Sequence, residues 1–337
     1  MAQTEKLRLV FMGTPSFAVP SLERLAAWPG GEIAGVWTQP DRPAGRGHRL
    51  TMPEVKRRAL ELGLPVFQPQ SLKAPEAQAE LAALKPDILA VAAYGMILPQ
   101  AVLDMPRLDC LNVHASLLPR YRGAAPIQRA VMEGWHPGDV AGVSIMRVIF
   151  RLDAGPVFAQ ASLPLSGHTS GSLHEALSVL GADLLIRVLD DLAAGKAKAV
   201  EQDERQVTYA AKVQKEDGFI VWNCPAAQAD ARIRGVTPWP GARVVLEALD
   251  AAGNALPPLM VRLSPGHIGP STGGEAPGTL WRDAEGLRIA CADAWYVLSS
   301  VRPRGKGDMA ARDVCNGILR DLPFGRAGTA RPPRDGE

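Results

Sequence analysis

The chain has 337 residues, 47% hydrophobic, 21% charged and 5% aromatic, and 37 basic against 35 acidic residues leave a formal net charge of +2. That balance excludes a disordered, collagenous or coiled-coil protein, and no apolar run approaches the roughly 20 residues of a membrane helix. At roughly 100–200 residues per domain the length predicts two domains, and the opening apolar run 7–12, which lacks a small-residue cleavage site, predicts a cytoplasmic protein without a signal peptide.

The first half alternates short apolar runs with helical periodicity, which predicts a doubly wound, Rossmann-like parallel sheet. Residues 7–12 read as a strand, followed by Gly13 and a helix with Val19, Leu22 and Leu25 on its apolar face. A second strand, 33–37, leads into a Gly/Pro-rich loop, 39–53. A helix over 53–62 has Pro53 in its first turn and Gly63 where a C-terminal cap belongs. Further strands are expected at 88–93, 110–113 and 143–146. A long amphipathic helix carries Leu173, Leu177, Leu180, Leu184 and Val188 and ends before Gly195. The charged stretch 196–206 reads as a linker. From 207 onward, apolar runs at 219–222, 242–246, 259–263, 287–291 and 295–300, separated by Gly/Pro turns, predict a small barrel. The tail 323–337, rich in Gly, Pro and Arg, reads as disordered.

Four cysteines, Cys110, Cys224, Cys291 and Cys315, lie too far apart for a zinc or redox motif and are expected to be reduced thiols. Between residues 40 and 60 six basic residues face two acids, a local basic feature inside a near-neutral chain. Gly13 alone does not make a dinucleotide fingerprint, and P-loop and zinc-protease patterns are absent. The informative stretch is 112–128. Strand alternation projects Asn112 and His114 to one side at a strand's carboxyl end, where open α/β sheets bind ligands. An amide and an imidazole there can stabilise an oxyanion or move a proton. The same pattern also fits a buried histidine satisfied by backbone beside a turn asparagine.

This segment, with VFMGTPSF at 10–17, TQPDRPAGRG at 38–47, LPVFQPQSL at 64–72, AYGMILP at 93–99 and LDAG at 152–155, resembles the methionyl-tRNA formyltransferases, of the folate-dependent formyltransferase superfamily. The second half is more weakly similar, at TYAAK (208–212) and PWP (238–240). The resemblance implies formyl transfer from 10-formyltetrahydrofolate, a co-substrate, to the α-amino group of methionine on initiator tRNA, by a monomer needing neither metal nor membrane. It implies a catalytic group of Asn112, His114 and Asp153, and a folate site of Ser116, Leu117, Leu118 and Pro119 with Tyr94, Gly95, Met96, Ile97 and Leu98. It also implies tRNA contacts from Arg42, Arg46 and Arg49, and further ones from a basic, OB-like second domain carrying Arg232, Arg234, Arg302, Arg304 and Lys306. The expected organisation is a catalytic domain over 1–195, the linker, and a tRNA-binding barrel over 207–322.

Ile149 and Arg151 stand where the family pattern has an acidic residue and a glycine. An arginine two residues before Asp153 leaves three outcomes open, a strained loop, an ordinary backbone that tolerates it, or a pair with that carboxylate, and reduced activity with folate binding kept is the expectation. Two alternatives share the catalytic group: a transferase acting on an amino-sugar nucleotide or glycinamide ribotide, and a tRNA-binding homologue with a degenerate site.

Overall fold

The computed structural model describes residues 6–44 and 49–334. Arg46 therefore lies outside the described residues, and Arg49 is described through its backbone alone. The chain divides into two units, one comprising Met1–Pro126, Ala141–Leu163 and His174–Ala210, the other Ile127–Val140, Pro164–Leu173 and Ala211–Glu337.

The first unit is built on seven strands: β1 (Leu7–Gly13), β2 (Gly31–Trp37), β3 (Val66–Phe67), β4 (Ile88–Ala92), β5 (Asp109–His114), β6 (Val140–Arg147) and β7 (Val157–Pro164). They lie in the order β7-β6-β5-β4-β1-β2-β3. The pairs β1–β2, β1–β4, β2–β3 and β4–β5 are parallel. The strand β4 is buried along its whole length, as a central parallel strand covered on both faces must be. The β5–β6 pair is antiparallel, a departure from the wholly parallel sheet expected. Residues between them place their longest helix, Pro126–Glu133, almost wholly in the other unit, so no crossover helix returns the chain in parallel.

Helix Val19–Ala27 buries Leu22 and Leu25, and helix Glu54–Glu61 starts after Pro53 and ends before Gly63 at φ +67°. The long helix Ser170–Ala193 covers one face of the sheet, where a Cβ at Gly181 would fall 2.6 Å from Val113 and 3.1 Å from Val143. The helix packs that closely because position 181 has no side chain. The basic stretch expected as a loop contains a short antiparallel hairpin, Arg42–Ala44 with Arg49–Thr51. Within the stretch 196–206 expected as a linker Val200 bridges Val157 of β7, and beyond it Tyr209–Ala210 pairs in parallel with Arg122–Gly123.

The second unit is a nine-stranded antiparallel sheet curled into a half-barrel. Strands at Ala242–Ala248, Leu259–Leu263, Leu287–Ala290 and Ala294–Val297 fall where apolar runs predicted them. Residues 219–222 do not form the expected strand; only Phe219 bridges Arg243. The preceding Glu216–Gly218 turns as a 3₁₀ helix, which leaves that short run no length to extend. The tail is also corrected: Gly325–Arg331 is a strand between Ala242–Ala248 and Thr279–Arg282. Its composition hid it because the residues facing the core, Ala327 and Ala330, are small. Gly328, at φ +144°, lies so close to its neighbour that a Cβ would sit 2.2 Å from the Glu247 carbonyl. The four cysteines are unpaired thiols, and burial pushes Cys291 up to about 12.

Candidate active site

The strand β5 delivers two polar side chains to one face. Val113, between them, is turned toward Gly181 of the long helix, so alternation sends Asn112 and His114 to the opposite face. Register with β4 sets Asn112 beside Val91, so both lie near the carboxyl ends of adjacent parallel strands. His114 is buried, and its Nε2 lies 3.0 Å from the carbonyl of Tyr121. A carbonyl only accepts, so Nε2 carries the hydrogen and Nδ1 is the edge left to take a proton. That edge faces Asp153, with Oδ1 at 3.7 Å. Asn112 is half-buried and makes no side-chain hydrogen bond among the described residues. Its NH₂ and carbonyl are available to a ligand.

Asp153 sits on a turn that follows β6. Its backbone is left-handed, at φ +47°, and its Oδ2 accepts from the Gly123 N–H at 2.9 Å. The turn closes against the strand it left: Arg147 N–H donates to the Pro156 carbonyl at 2.9 Å, and a Cβ at Gly155 would fall 1.9 Å from the Arg147 carbonyl. Position 155 therefore accepts only glycine. Arg147 in turn holds the buried Asp109 at the start of β5 through contacts of 2.7 to 3.0 Å. Arg151 stands on an ordinary backbone, the outcome under which an arginine is tolerated there. Its φ is not positive; the left-handed residue is Asp153 itself. Its guanidinium pairs with Glu204, away from the Asp153 carboxylate. Ile149, Phe150 and Leu152 are exposed.

The loop after β4 is held at Tyr94, whose carbonyl accepts from Thr14 Oγ1 at 2.8 Å and Gln39 Nε2 at 3.0 Å. Tyr94 and Leu98 are buried with Trp37, Leu72, Leu89 and Val102, and burial pushes the Tyr94 phenol above its usual range. Met96 packs against the same cluster, whereas Gly95 and Ile97 are exposed. The segment after His114 is turned inward. Ser116 Oγ donates to the Arg120 carbonyl at 2.6 Å, Leu118 N–H donates to Ser144 Oγ at 3.1 Å, and Leu117 packs over Gly142. Pro119, half-buried, follows a cis peptide bond.

The basic hairpin stands on a fixed base. Asp41 accepts from Lys56 at 2.8 Å and from Gln68 at 2.8 Å, and these bonds, Lys56 foremost, hold its carboxyl below the usual carboxylate range. Arg42, opposite Thr51, is exposed. Four residues that complete the site escaped the sequence reading: Tyr121, Gly123, Arg122 and Gln202. The first three lie in the stretch 112–128 and could have been sought there, but Gln202 sits in a charged segment with no local signal.

Residues 7–189 match the formyl transferase family and residues 212–319 the formyl transferase C-terminal domain. The methionyl-tRNA formyltransferase of Desulfovibrio desulfuricans is 61% identical over 99% of both chains, and that of Methylococcus capsulatus is 43% identical over 92% of this chain and 96% of its own. Among solved structures, the N-formyltransferase from Helicobacter canadensis, crystallised with folinic acid and dTDP-3-aminofucose, superposes with a TM-score of 0.63 at 15% identity over 87% of this chain and 98% of its own. HypX from Aquifex aeolicus, in complex with tetrahydrofolic acid, gives 0.55 at 18% identity over 94% of this chain, which spans 48% of that protein. With both of its regions matched and a relative 61% identical end to end, this chain belongs to the formyl transferase family.

Proposed function

We propose that the protein transfers the formyl group of 10-formyltetrahydrofolate to the α-amino group of methionine on initiator methionyl-tRNA, in the first steps of translation. The observation that carries this reading is the meeting of Asn112, His114 and Asp153 at the carboxyl end of β5, in a chain 61% identical to a methionyl-tRNA formyltransferase. The amine attacks the formyl carbon and gives a tetrahedral intermediate with one oxyanion. Asn112, its amide free of partners among the described residues, donates to that oxyanion, joined by the His114 imidazole once protonated. The His114–Asp153 pair takes at Nδ1 the proton that the attacking amine loses and returns it to N10 as the oxyanion collapses, so that the C–N10 bond breaks and tetrahydrofolate leaves.

The residues fit the folate. Exposed Ile97 and Gly95 after β4 offer an apolar edge and open backbone to a flat heterocycle. Ser116, Leu117, Leu118 and Pro119 shape the neighbouring turn from within. Formyl on an aryl amine already has a good leaving group, and the described residues contain no group able to hold a metal ion. Arg42, Arg46 and Arg49 would contact tRNA phosphates, and the second half, from about residue 207, would add others. No described helix is long and apolar enough to cross a membrane. We assign the enzyme to the cytoplasm as a monomer, where its tRNA substrate is found.

The test supplies 10-formyltetrahydrofolate with two acceptors in parallel, charged initiator tRNA and an amino-sugar nucleotide. Formyl on the methionyl-tRNA alone is the expected result; formyl on the sugar, or on neither, overturns the reading.

A further inference from the structure

We propose that Gln202, gripped by the buried Arg122, is a positioning residue that holds the Asp153 carboxylate in place beside His114; the proposal rests on the functional reading above and deepens it. Gln202 lies between the two regions that match the family, 7–189 and 212–319. Its Nε2 donates to the carbonyls of Asp153 and Gly155, each at 2.8 Å. Its Oε1 accepts from Arg122 Nε at 3.0 Å and Nη2 at 2.8 Å. Carbonyls only accept and a guanidinium only donates, so this arrangement fixes which end of the amide points where. Every hydrogen-bonding capacity of the side chain is used.

The bonds form a closed circuit. Arg122, its side chain wholly buried, grips Gln202; Gln202 holds the main chain of Asp153; Asp153 Oδ2 accepts from the N–H of Gly123, which follows Arg122 in sequence. Gly123 is suited to the closing position, having φ +122° and standing where a Cβ would lie 2.8 Å from the Ala210 carbonyl. A circuit of this kind answers a specific need. Asp153 adopts a left-handed backbone, and in that conformation its carboxylate faces both Gly123 and His114. Glu204 completes the device by accepting from Arg122 at 2.9 Å, which offsets the buried cation, and by receiving Arg151 from the same loop.

Two substitutions separate positioning from packing. Gln202→Leu removes all four bonds, while Gln202→Glu keeps the acceptor for Arg122 and removes the donors to the Asp153 turn. Each variant is assayed for kcat, for KM of both substrates, and for amide hydrogen exchange at Gly123. Both should lower kcat about 10–100-fold, since a misplacement of about 1 Å can cost that much, with KM within about 3-fold of wild type. Exchange at Gly123 should quicken about 10-fold or more. A Gln202→Glu protein with wild-type kcat and unchanged Gly123 exchange would overturn the proposal, and it decides alone if Gln202→Leu does not fold. Should the wild-type enzyme formylate no methionyl-tRNA, the functional reading fails, yet the Gly123 exchange still decides the role of Gln202.

Discussion

Arg151 and Glu204 are paired through guanidinium and carboxylate, although 53 residues separate them and the Asp153 carboxylate is only two residues from Arg151. The pairing decides among the outcomes that the local sequence leaves open. An arginine in place of the family's glycine neither strains the turn nor competes with His114. Arg151→Gly should therefore leave turnover unchanged or lower it. The pair is exposed on both sides and adds little stability, and glycine costs about 0.5–1 kcal/mol of backbone entropy lost on folding. Steady-state turnover and Tm of the variant check this; a rise in turnover would restore the sequence-based view.

Asn112→Ala and His114→Ala should each reduce turnover on the order of 10²–10³-fold, the usual loss when a donor to an oxyanion is removed. Folate affinity should hardly move, because neither side chain belongs to the loops expected to take the folate. Turnover measured beside equilibrium folate binding distinguishes the two effects, and near-normal turnover in both variants would refute the assignment.

Gly155→Ala tests the tightness of the catalytic turn. A methyl group would meet the Arg147 carbonyl at 1.9 Å, where no flexible side chain can yield, so the backbone must move. The loss should be at least about 1–3 kcal/mol in urea unfolding, with turnover falling as Asp153 shifts. Gly307→Ala, with nothing within 4 Å and no positive φ, should change stability by less than about 0.5 kcal/mol and serves as the contrast.

The base of the basic hairpin gives a pH dependence. Asp41 is held below its usual range by Lys56 and then by Gln68, so its contribution is present above the unfolded carboxylate value, about 3.9, and fades as pH falls through the lowered folded value. Wild type should be more stable than Asp41→Asn above about pH 4, and the difference should close in stronger acid. Acid unfolding curves of the two proteins provide the measurement; a gap that persisted at the lowest pH would show that the carboxylate's charge is not what anchors the hairpin.

Replacing Arg42, Arg46 and Arg49 together by alanine should raise KM for charged tRNA and flatten the salt dependence of tRNA binding by about 0.7–0.9 in log–log slope for each phosphate no longer neutralised. Binding titrations at several salt concentrations would reveal it. An unchanged slope would make the hairpin a solvated surface feature.

What the sequence disclosed was whatever is written locally. Continuous apolar residues announce Ile88–Ala92, and period-two alternation places Asn112 and His114 on one face of a strand. Asp153 entered only through the family's LDAG pattern, because its approach to His114 joins residues 39 positions apart by way of a turn. Gln202 had no such pattern. Its role depends on an amide meeting two carbonyls and a guanidinium brought from residues 122, 153 and 155, which no local periodicity encodes. The strand Gly325–Arg331 was missed for a related reason: glycine and alanine carry little hydrophobic signal, and what holds the segment is its main-chain ladder with Ala242–Ala248 and Thr279–Arg282.

That strand also governs how the second unit can assemble during synthesis. It joins two groups of strands, Ala242–Ala248 through Leu259–Leu263 on one side and Thr279–Arg282 through Leu287–Ala290 on the other, pairing Val245 with Arg331. Each group can form hairpins from near neighbours, but their union waits for residue 331, a pairing of far greater sequence separation than those within either group. Until then two strand edges stand open, each a template for another nascent chain. For an enzyme that prepares the tRNA with which chains begin, completion of its own sheet comes only as its own chain nears residue 331.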